Sequence, residues 1–163
     1  MTQANKVIVV FDSYPAENIL RKGGSFSWRL DPNVAKQCDY LICCRSTQGS
    51  ELRNSAFLIG KISDVVPSPE ETAPDRWMIK ISEYVIVNIP NVWKGWQNPV
   101  HYFSDEENQK FQEKLGRPLN ELDFQPVMLE GDSLKTLTLK KAKSDLAKVF
   151  GVDVNAIEIL IRV

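Results

Sequence analysis

The sequence contains one histidine, His101, and only three cysteines, Cys38, Cys43 and Cys44. A zinc site would need a CxxC pair or histidines close to these cysteines, and neither is present. Cys43 and Cys44 are neighbours in an apolar run, where the side chains of a strand point to opposite faces. We therefore expect all three cysteines to be reduced core residues, and we expect no metal and no cofactor.

The chain also lacks the residue patterns of common catalytic sites. It has no GxSxG, no HxE with CxxC, and no pair of carboxylates at a recognisable spacing. No acid, base and nucleophile can therefore be assigned together, and we identify no catalytic residue. His101 is expected to close its loop through a hydrogen bond.

Long apolar runs and an excess of charge of one sign are missing too. No run approaches the ~20 residues that span a bilayer, and the first residues do not resemble a signal peptide, so we expect a cytoplasmic protein without a membrane partner. The net charge of −1 excludes a protein that coats nucleic acid through charge alone, because such affinity comes from neutralising phosphates. A small pocket that reads one base remains open.

Runs of apolar or alternating residues predict six or seven strands. The clearest are 6–11, 40–45, 56–62 and 77–88, and the last two are expected to pair as an antiparallel hairpin with a long exposed tip. The strands and helices do not alternate regularly. We therefore predict an α+β fold with a small bent, mostly antiparallel sheet or a β-barrel, and three to four short helices.

The length of 163 residues suits a single domain. Residues 133–163 are predicted to form a C-terminal extension packed on it, with a helix at 139–150 and a final strand at 157–162. Leu146 and Phe150 fall on the apolar side of that helix, and we expect both to be core residues.

The segment 89–103 is unusually rich in aromatic residues. It holds two of the four tryptophans, the only histidine and two prolines. Every nucleobase has a face that stacks on an aromatic ring, and an Asn amide can pair with a base edge. The candidate ligand-binding residues are Trp28, Tyr40, Trp93, Trp96, Asn98 and Tyr102. The candidate contacts to a nucleic-acid backbone are Arg45, Lys61 and Lys94. Alternatively, these aromatic rings fill the core and the cations are surface charges.

Two stretches carry a resemblance to a known superfamily. Residues 56–62, AFLIGKI, followed by Arg76-Trp77 and 79–87, resemble the hairpin of the PUA-like superfamily, in which EVE and ASCH domains place such a strand after one similar to 40–45. The resemblance covers 6–103. The loop at 89–102 and the C-terminal tail are similar to those of small uncharacterised bacterial proteins. The resemblance implies a PUA-like barrel associated with RNA binding and, in EVE-type members, with modified bases held in an aromatic pocket.

Three functional hypotheses follow. The first is a non-enzymatic binding domain that recognises a nucleobase or modified base in RNA or DNA through an aromatic pocket. The second is a protein-interaction or homo-oligomerisation module, in which the helix at 139–148 and the last strand dock another chain. The third, an ASCH-like hydrolase acting on nucleic acid or nucleosides, is implied by the resemblance alone.

Overall fold

The computed structural model describes residues 6–69, 75–128, 147–153 and 156. Within these residues, seven strands form one curled, mixed sheet that resembles half a barrel. In chain order the strands are β1 (Val7–Asp12), β2 (Gly24–Trp28), β3 (Tyr40–Arg45), β4 (Ala56–Pro67), β5 (Trp77–Ile89), β6 (Val100–Tyr102) and β7 (Gln125–Pro126). The helices are α1 (Ala16–Lys22), α2 (Pro32–Ala35), α3 (Asp105–Leu115) and a 3₁₀ turn at Leu119–Glu121.

The strand order across the sheet is β2-β5-β4-β3-β1-β6, and β7 pairs with β5. Only β1 and β3 run parallel; the other pairs of described strands are antiparallel. The predicted α+β class with a mostly antiparallel bent sheet is confirmed. The described strands β2 and β6 lie at opposite ends of the order and do not pair with each other, so the sheet is curled and open.

The central hairpin consists of β4 and β5, which pair from Ala56↔Ile89 to Pro67↔Trp77. The predicted antiparallel pairing is confirmed, and Leu58 and Ile79 are fully buried. β4 is longer than the predicted strand 56–62, because it continues to Pro67. The exposed tip predicted at 67–75 follows it, and residues 70–74 of that tip lie outside the described residues. Val65 explains the longer strand: it is 1% exposed in the core and faces Ile79 across the ladder.

The sheet is buried on both faces, because alternate residues of each strand point to opposite sides. On what we call the first face, Ile8, Val10 and Leu41 pack beneath α1 and α2. On the second face, Val7, Val9 and Ile42 form a separate core with α3 and the loop at 90–99. Two of the helices that flank the sheet have capped starts: the Asp31 side chain accepts a hydrogen bond from the Asn33 N–H, and Ser104 forms a capping box with Glu107.

The three cysteines are buried and form no disulfide, as predicted. Cys43 contributes to the core of the first face and Cys44 to that of the second, so the alternation expected for these neighbours is confirmed. Burial raises the pKa of the Cys44 thiol to about 12. It therefore stays protonated and unreactive at neutral pH.

The chain divides into two compact units, Met1–Val127 and Met128–Val163. In the second unit, residues 147–150 are helical and Gly151 follows with a φ of 64°, as its predicted place after the helix requires. Phe150 is not the core residue that we predicted: its side chain is 67% exposed, and this turn buries Ala147 instead. Leu146, the final strand and most of the predicted extension at 133–163 lie outside the described residues. Among the helices that are described, none combines the length and the apolar character needed to cross a membrane.

Candidate functional site

A groove of about 270 Å³ lies on the second face of the sheet, between the loop at 90–99 and α3. Its floor is apolar and consists of Val92, Trp96, Phe103 and Phe111. Its rim carries Asn91, Lys94, Glu107, Lys110 and Lys114. An apolar concave surface with a few polar groups at its edge is typical of a ligand site.

Helix α3 forms one wall of this groove. A capping box fixes the residue at which the helix begins. The Ser104 hydroxyl accepts a hydrogen bond from the Glu107 N–H at 3.2 Å, and Glu107 Oε1 accepts one from the Ser104 N–H at 3.0 Å. Phe111, one turn after Glu107, is 3% exposed and anchors the helix on the second face. Lys114 then donates from Nζ to the carbonyls of Pro90 and Asn91, at 3.3 Å each, and links the helix to the loop.

The loop is held in shape at several points. Gly95 has a φ of 79°, a left-handed conformation that favours glycine, and lets the chain turn between Lys94 and Trp96. The Asn98 side chain accepts a hydrogen bond from the Val100 N–H at 3.2 Å, and the Phe11 N–H donates to the Pro99 carbonyl at 2.8 Å. These contacts fix the return of the loop into β6.

Trp96 lies flat against His101, with ring centroids 3.7 Å apart and planes 7° apart. His101 Nε2 lies 3.1 Å from Glu107 Oε1 and 3.0 Å from Oε2. Because a carboxylate only accepts hydrogen bonds, the shared proton belongs on Nε2 of the imidazole. The prediction that His101 closes the loop through a hydrogen bond is confirmed, and its partner is a residue of α3.

Glu107 is ionised in this arrangement. Burial opposes its ionisation, but the hydrogen bonds from the Ser104 N–H and from His101 outweigh burial and hold the pKa of Glu107 below its usual value. The ionised carboxylate of Glu107 thus accepts hydrogen bonds from the Ser104 N–H and from the His101 imidazole.

The lysines make the rim basic, although the chain as a whole carries a net charge of −1. Lys110 pairs with Glu106 at 3.1 Å on the exposed side of α3. Lys94 is exposed and has no hydrogen bond or ion pair to any other described residue. A basic rim above an apolar floor suits a flat ligand that carries negative charge.

Of the residues predicted from the sequence, Trp96 and Lys94 line the groove. Trp93 lies beneath it and is only 4% exposed. It stacks on Phe11 with centroids 4.6 Å apart and planes 4° apart, and it meets Trp96 edge to face at 4.8 Å. Trp93 is therefore a core residue that supports the groove, not a wall of it.

The other predicted aromatic residues lie elsewhere. Trp28 and Tyr102 pack on the first face of the sheet, and Tyr102 cannot share a side with its neighbour His101 because adjacent residues of a strand face opposite ways. Tyr40 is on the second face but packs toward Phe124, with ring centroids 6.0 Å apart, and does not line the groove. The single pocket predicted from Trp28, Tyr40, Trp93, Trp96 and Asn98 is wrong for this reason.

Two of the predicted phosphate contacts are also distant from the groove. The Arg45 guanidinium lies 3.9 Å from the ring centroid of Phe57 and donates to the Tyr14 carbonyl. Lys61 pairs with Glu83 on the central hairpin at 3.2 Å. The groove residues that were not predicted are Asn91, Val92, Phe103, Glu107, Lys110, Phe111 and Lys114. Four of these recur at helical spacing after the Ser104 cap, which was the available signal for one helix face.

A second polar cluster is buried near the end of β1. Asp12 is 2% exposed and accepts hydrogen bonds from the Ser25 hydroxyl at 2.6 Å and from the Tyr14 N–H at 2.9 Å. The Ser25 oxygen in turn accepts from the Trp28 indole N–H at 2.7 Å. Burial raises the pKa of Asp12, although the Ser25 hydrogen bond opposes it. Ser25 is fully buried, so this cluster joins β1 to β2 and offers no surface to a ligand.

Comparison with protein-family models and with curated proteins finds no match to this chain.

Proposed function

We propose that this protein is a non-enzymatic binding domain that holds one nucleobase of a single-stranded RNA or DNA, plain or modified, in the groove between the 90–99 loop and α3. The observation that carries the proposal is the Trp96 indole, which lines an apolar groove bordered by three lysines. Aromatic rings and cations are the combination that single-strand binding sites use for bases and phosphates.

The size of the groove supports a small aromatic ligand. Its volume of about 270 Å³ lies just below the ~300–1,000 Å³ of sites for drug-sized molecules. One base stacked on Trp96 would leave the adjoining phosphates outside the groove, where the ammonium groups of the rim can reach them. Stacking on an indole contributes about 1–3 kcal/mol per base.

The rim also offers groups for a base edge. Asn91, which lines the groove, has a side-chain amide that both donates and accepts hydrogen bonds, as pairing with a base requires. We propose for Asn91 the contact to a base edge that was predicted for Asn98. The resemblance of 6–103 to the PUA-like superfamily supports the same proposal, and membership of that superfamily is part of it, although a fold alone does not determine function.

The interaction-module and hydrolase hypotheses remain predictions. Most of the helix at 139–148 that would carry the interaction, residues 139–146, lies outside the described residues. At the groove, the imidazole of His101 is stacked on Trp96 and bonded to Glu107. We therefore favour binding over catalysis for this site.

The test is the affinity for labelled single-stranded RNA and DNA oligomers, measured by fluorescence anisotropy. Trp96→Ala should weaken binding by about 5- to 150-fold, the range that corresponds to ~1–3 kcal/mol of stacking. Tyr14→Ala is the matched control, because Tyr14 is an exposed aromatic residue that contacts the Phe26 ring at a tilt and does not line the groove. Equal affinities of the two variants, or no binding by the wild type at millimolar oligomer, would contradict the proposal.

A further inference from the structure

Glu107 makes more contacts than a capping box needs. The capping box uses Oε1, which accepts from the Ser104 N–H at 3.0 Å. The carboxylate also meets His101 Nε2 with both oxygens, at 3.1 and 3.0 Å. Glu107 is thus shared between the start of α3 and the imidazole beside Trp96.

His101 has a fixed backbone and a fixed ring. Its backbone belongs to β6, where it faces Val9 of β1. The remaining freedom of the side chain is rotation of the imidazole, and the two contacts with Glu107 restrict that rotation. The ring plane of His101 is therefore set by β6, which carries its backbone, and by α3, which carries Glu107.

Trp96 depends on this neighbour for its orientation. It lies on a loop next to Gly95, and its indole N–H makes no hydrogen bond to any other described residue. Its ring is held by packing, in parallel contact with His101 and edge to face with Trp93 and Phe103. Among these neighbours, only His101 lies parallel to the indole.

We propose that Glu107 and His101 form a positioning pair that fixes the plane of the Trp96 indole before a ligand enters the groove. The consequence for binding rests on the function proposed above, whereas the fixed indole is a property of the protein without ligand. A ring that is already ordered loses less conformational freedom on binding, so the pair should increase affinity through the orientation of Trp96.

Two substitutions of acidic residues in the first turn of α3 isolate this effect. Glu107→Gln keeps an acceptor for the capping box but removes the charge and one of the oxygens that meet His101. Asp105→Asn removes the same charge from the same turn, and Asp105 is exposed and has no contact with His101. Circular dichroism should show both variants folded.

The first readout is the emission of Trp96 in the unliganded protein at neutral pH. The emission of Trp96 is obtained by subtracting the emission of the same protein carrying Trp96→Phe from that of each protein. We expect Glu107→Gln to change the Trp96 lifetime and to shorten its anisotropy decay, because the indole loses a fixed partner, and Asp105→Asn to behave as wild type. The same Trp96 emission and decay in the two variants would overturn the positioning pair.

The second readout is binding of the single-stranded oligomer. Glu107→Gln and His101→Phe should each weaken it by about tenfold, equivalent to about 1.4 kcal/mol. His101→Phe keeps an aromatic ring in place but cannot donate to Glu107. If the two residues act through one contact, the double variant should bind no more weakly than either single variant, whereas multiplied losses would overturn the pair. If the emission responds as expected but the wild type binds no oligomer, the positioning pair stands and the proposed function fails.

Discussion

Trp93 and Trp96 are three residues apart, and the structure gives them different energetic roles. Trp93 is 4% exposed, stacks on Phe11 and contacts Trp96, so Trp93→Ala removes a large buried side chain. Core Phe and Trp truncations cost about 3–5 kcal/mol. Because the free energy of unfolding of most domains is only ~5–15 kcal/mol, this change should remove a large part of it.

Trp96→Ala should cost about 1–2 kcal/mol, since part of the indole surface already faces the groove. The assay is urea unfolding of both variants followed by far-ultraviolet circular dichroism, with equal denaturant slopes as the condition for comparison. Trp93→Phe is the control, because it keeps a ring against Phe11 and should lose less than Trp93→Ala. A larger loss for Trp96→Ala than for Trp93→Ala would refute the division into core and groove.

Three further predictions concern other parts of the chain. Gly24→Ala should lower the melting temperature more than a typical substitution, whose cost is ~1 kcal/mol, because a Cβ there would collide with the Ile79 carbonyl in the β2–β5 pairing. The folded Asp12 carboxyl keeps its proton to higher pH than the unfolded one, because its pKa is raised from 3.8. The free energy of unfolding of the wild type, relative to that of Asp12→Asn, should therefore fall as pH rises from 3.8 through the raised pKa. Urea titrations at several pH values measure this difference, and a difference that does not change with pH would contradict the prediction. Lys94→Gln should reduce the slope of log affinity for the oligomer against log salt by about 0.7, the value per phosphate contact on single strands, and Lys61→Gln should leave the slope unchanged.

The sequence predicts the elements of this fold well because local patterns determine them. The β-branched run at 6–11 and the alternation after Trp77 each match a strand, and Ser104 with Glu107 matches the start of α3. The prediction ended β4 at 62 because the polar Ser63 and Asp64 interrupt the apolar run, whereas Val65 gains a buried position opposite Ile79. Burial in the tertiary structure outweighed the local preference.

The groove could be predicted only in part, because it depends on which sheet face each aromatic residue occupies. Trp28 ends β2 and packs on the first face of the sheet, whereas Trp96 lies on the loop at 90–99 and packs on the second face. His101 of β6 pairs with Glu107 in the first turn of α3. Composition gives no indication of this contact. The lysines of α3 border the groove because the loop at 90–99 lies beside the helix, a contact that the pattern of the helix alone does not predict.

Photo-crosslinking of the full chain to a single-stranded oligomer that contains one iodouridine tests the central claim most directly, because it locates the base on the protein. After digestion and mass spectrometry, we expect the crosslinked peptide to contain Trp96 or the neighbouring residues of the groove, and the crosslink to disappear in Trp96→Ala while Tyr14→Ala retains it. A crosslink that maps to the first face of the sheet or to the β4–β5 hairpin, or one that persists unchanged in Trp96→Ala, would contradict nucleobase binding in the groove.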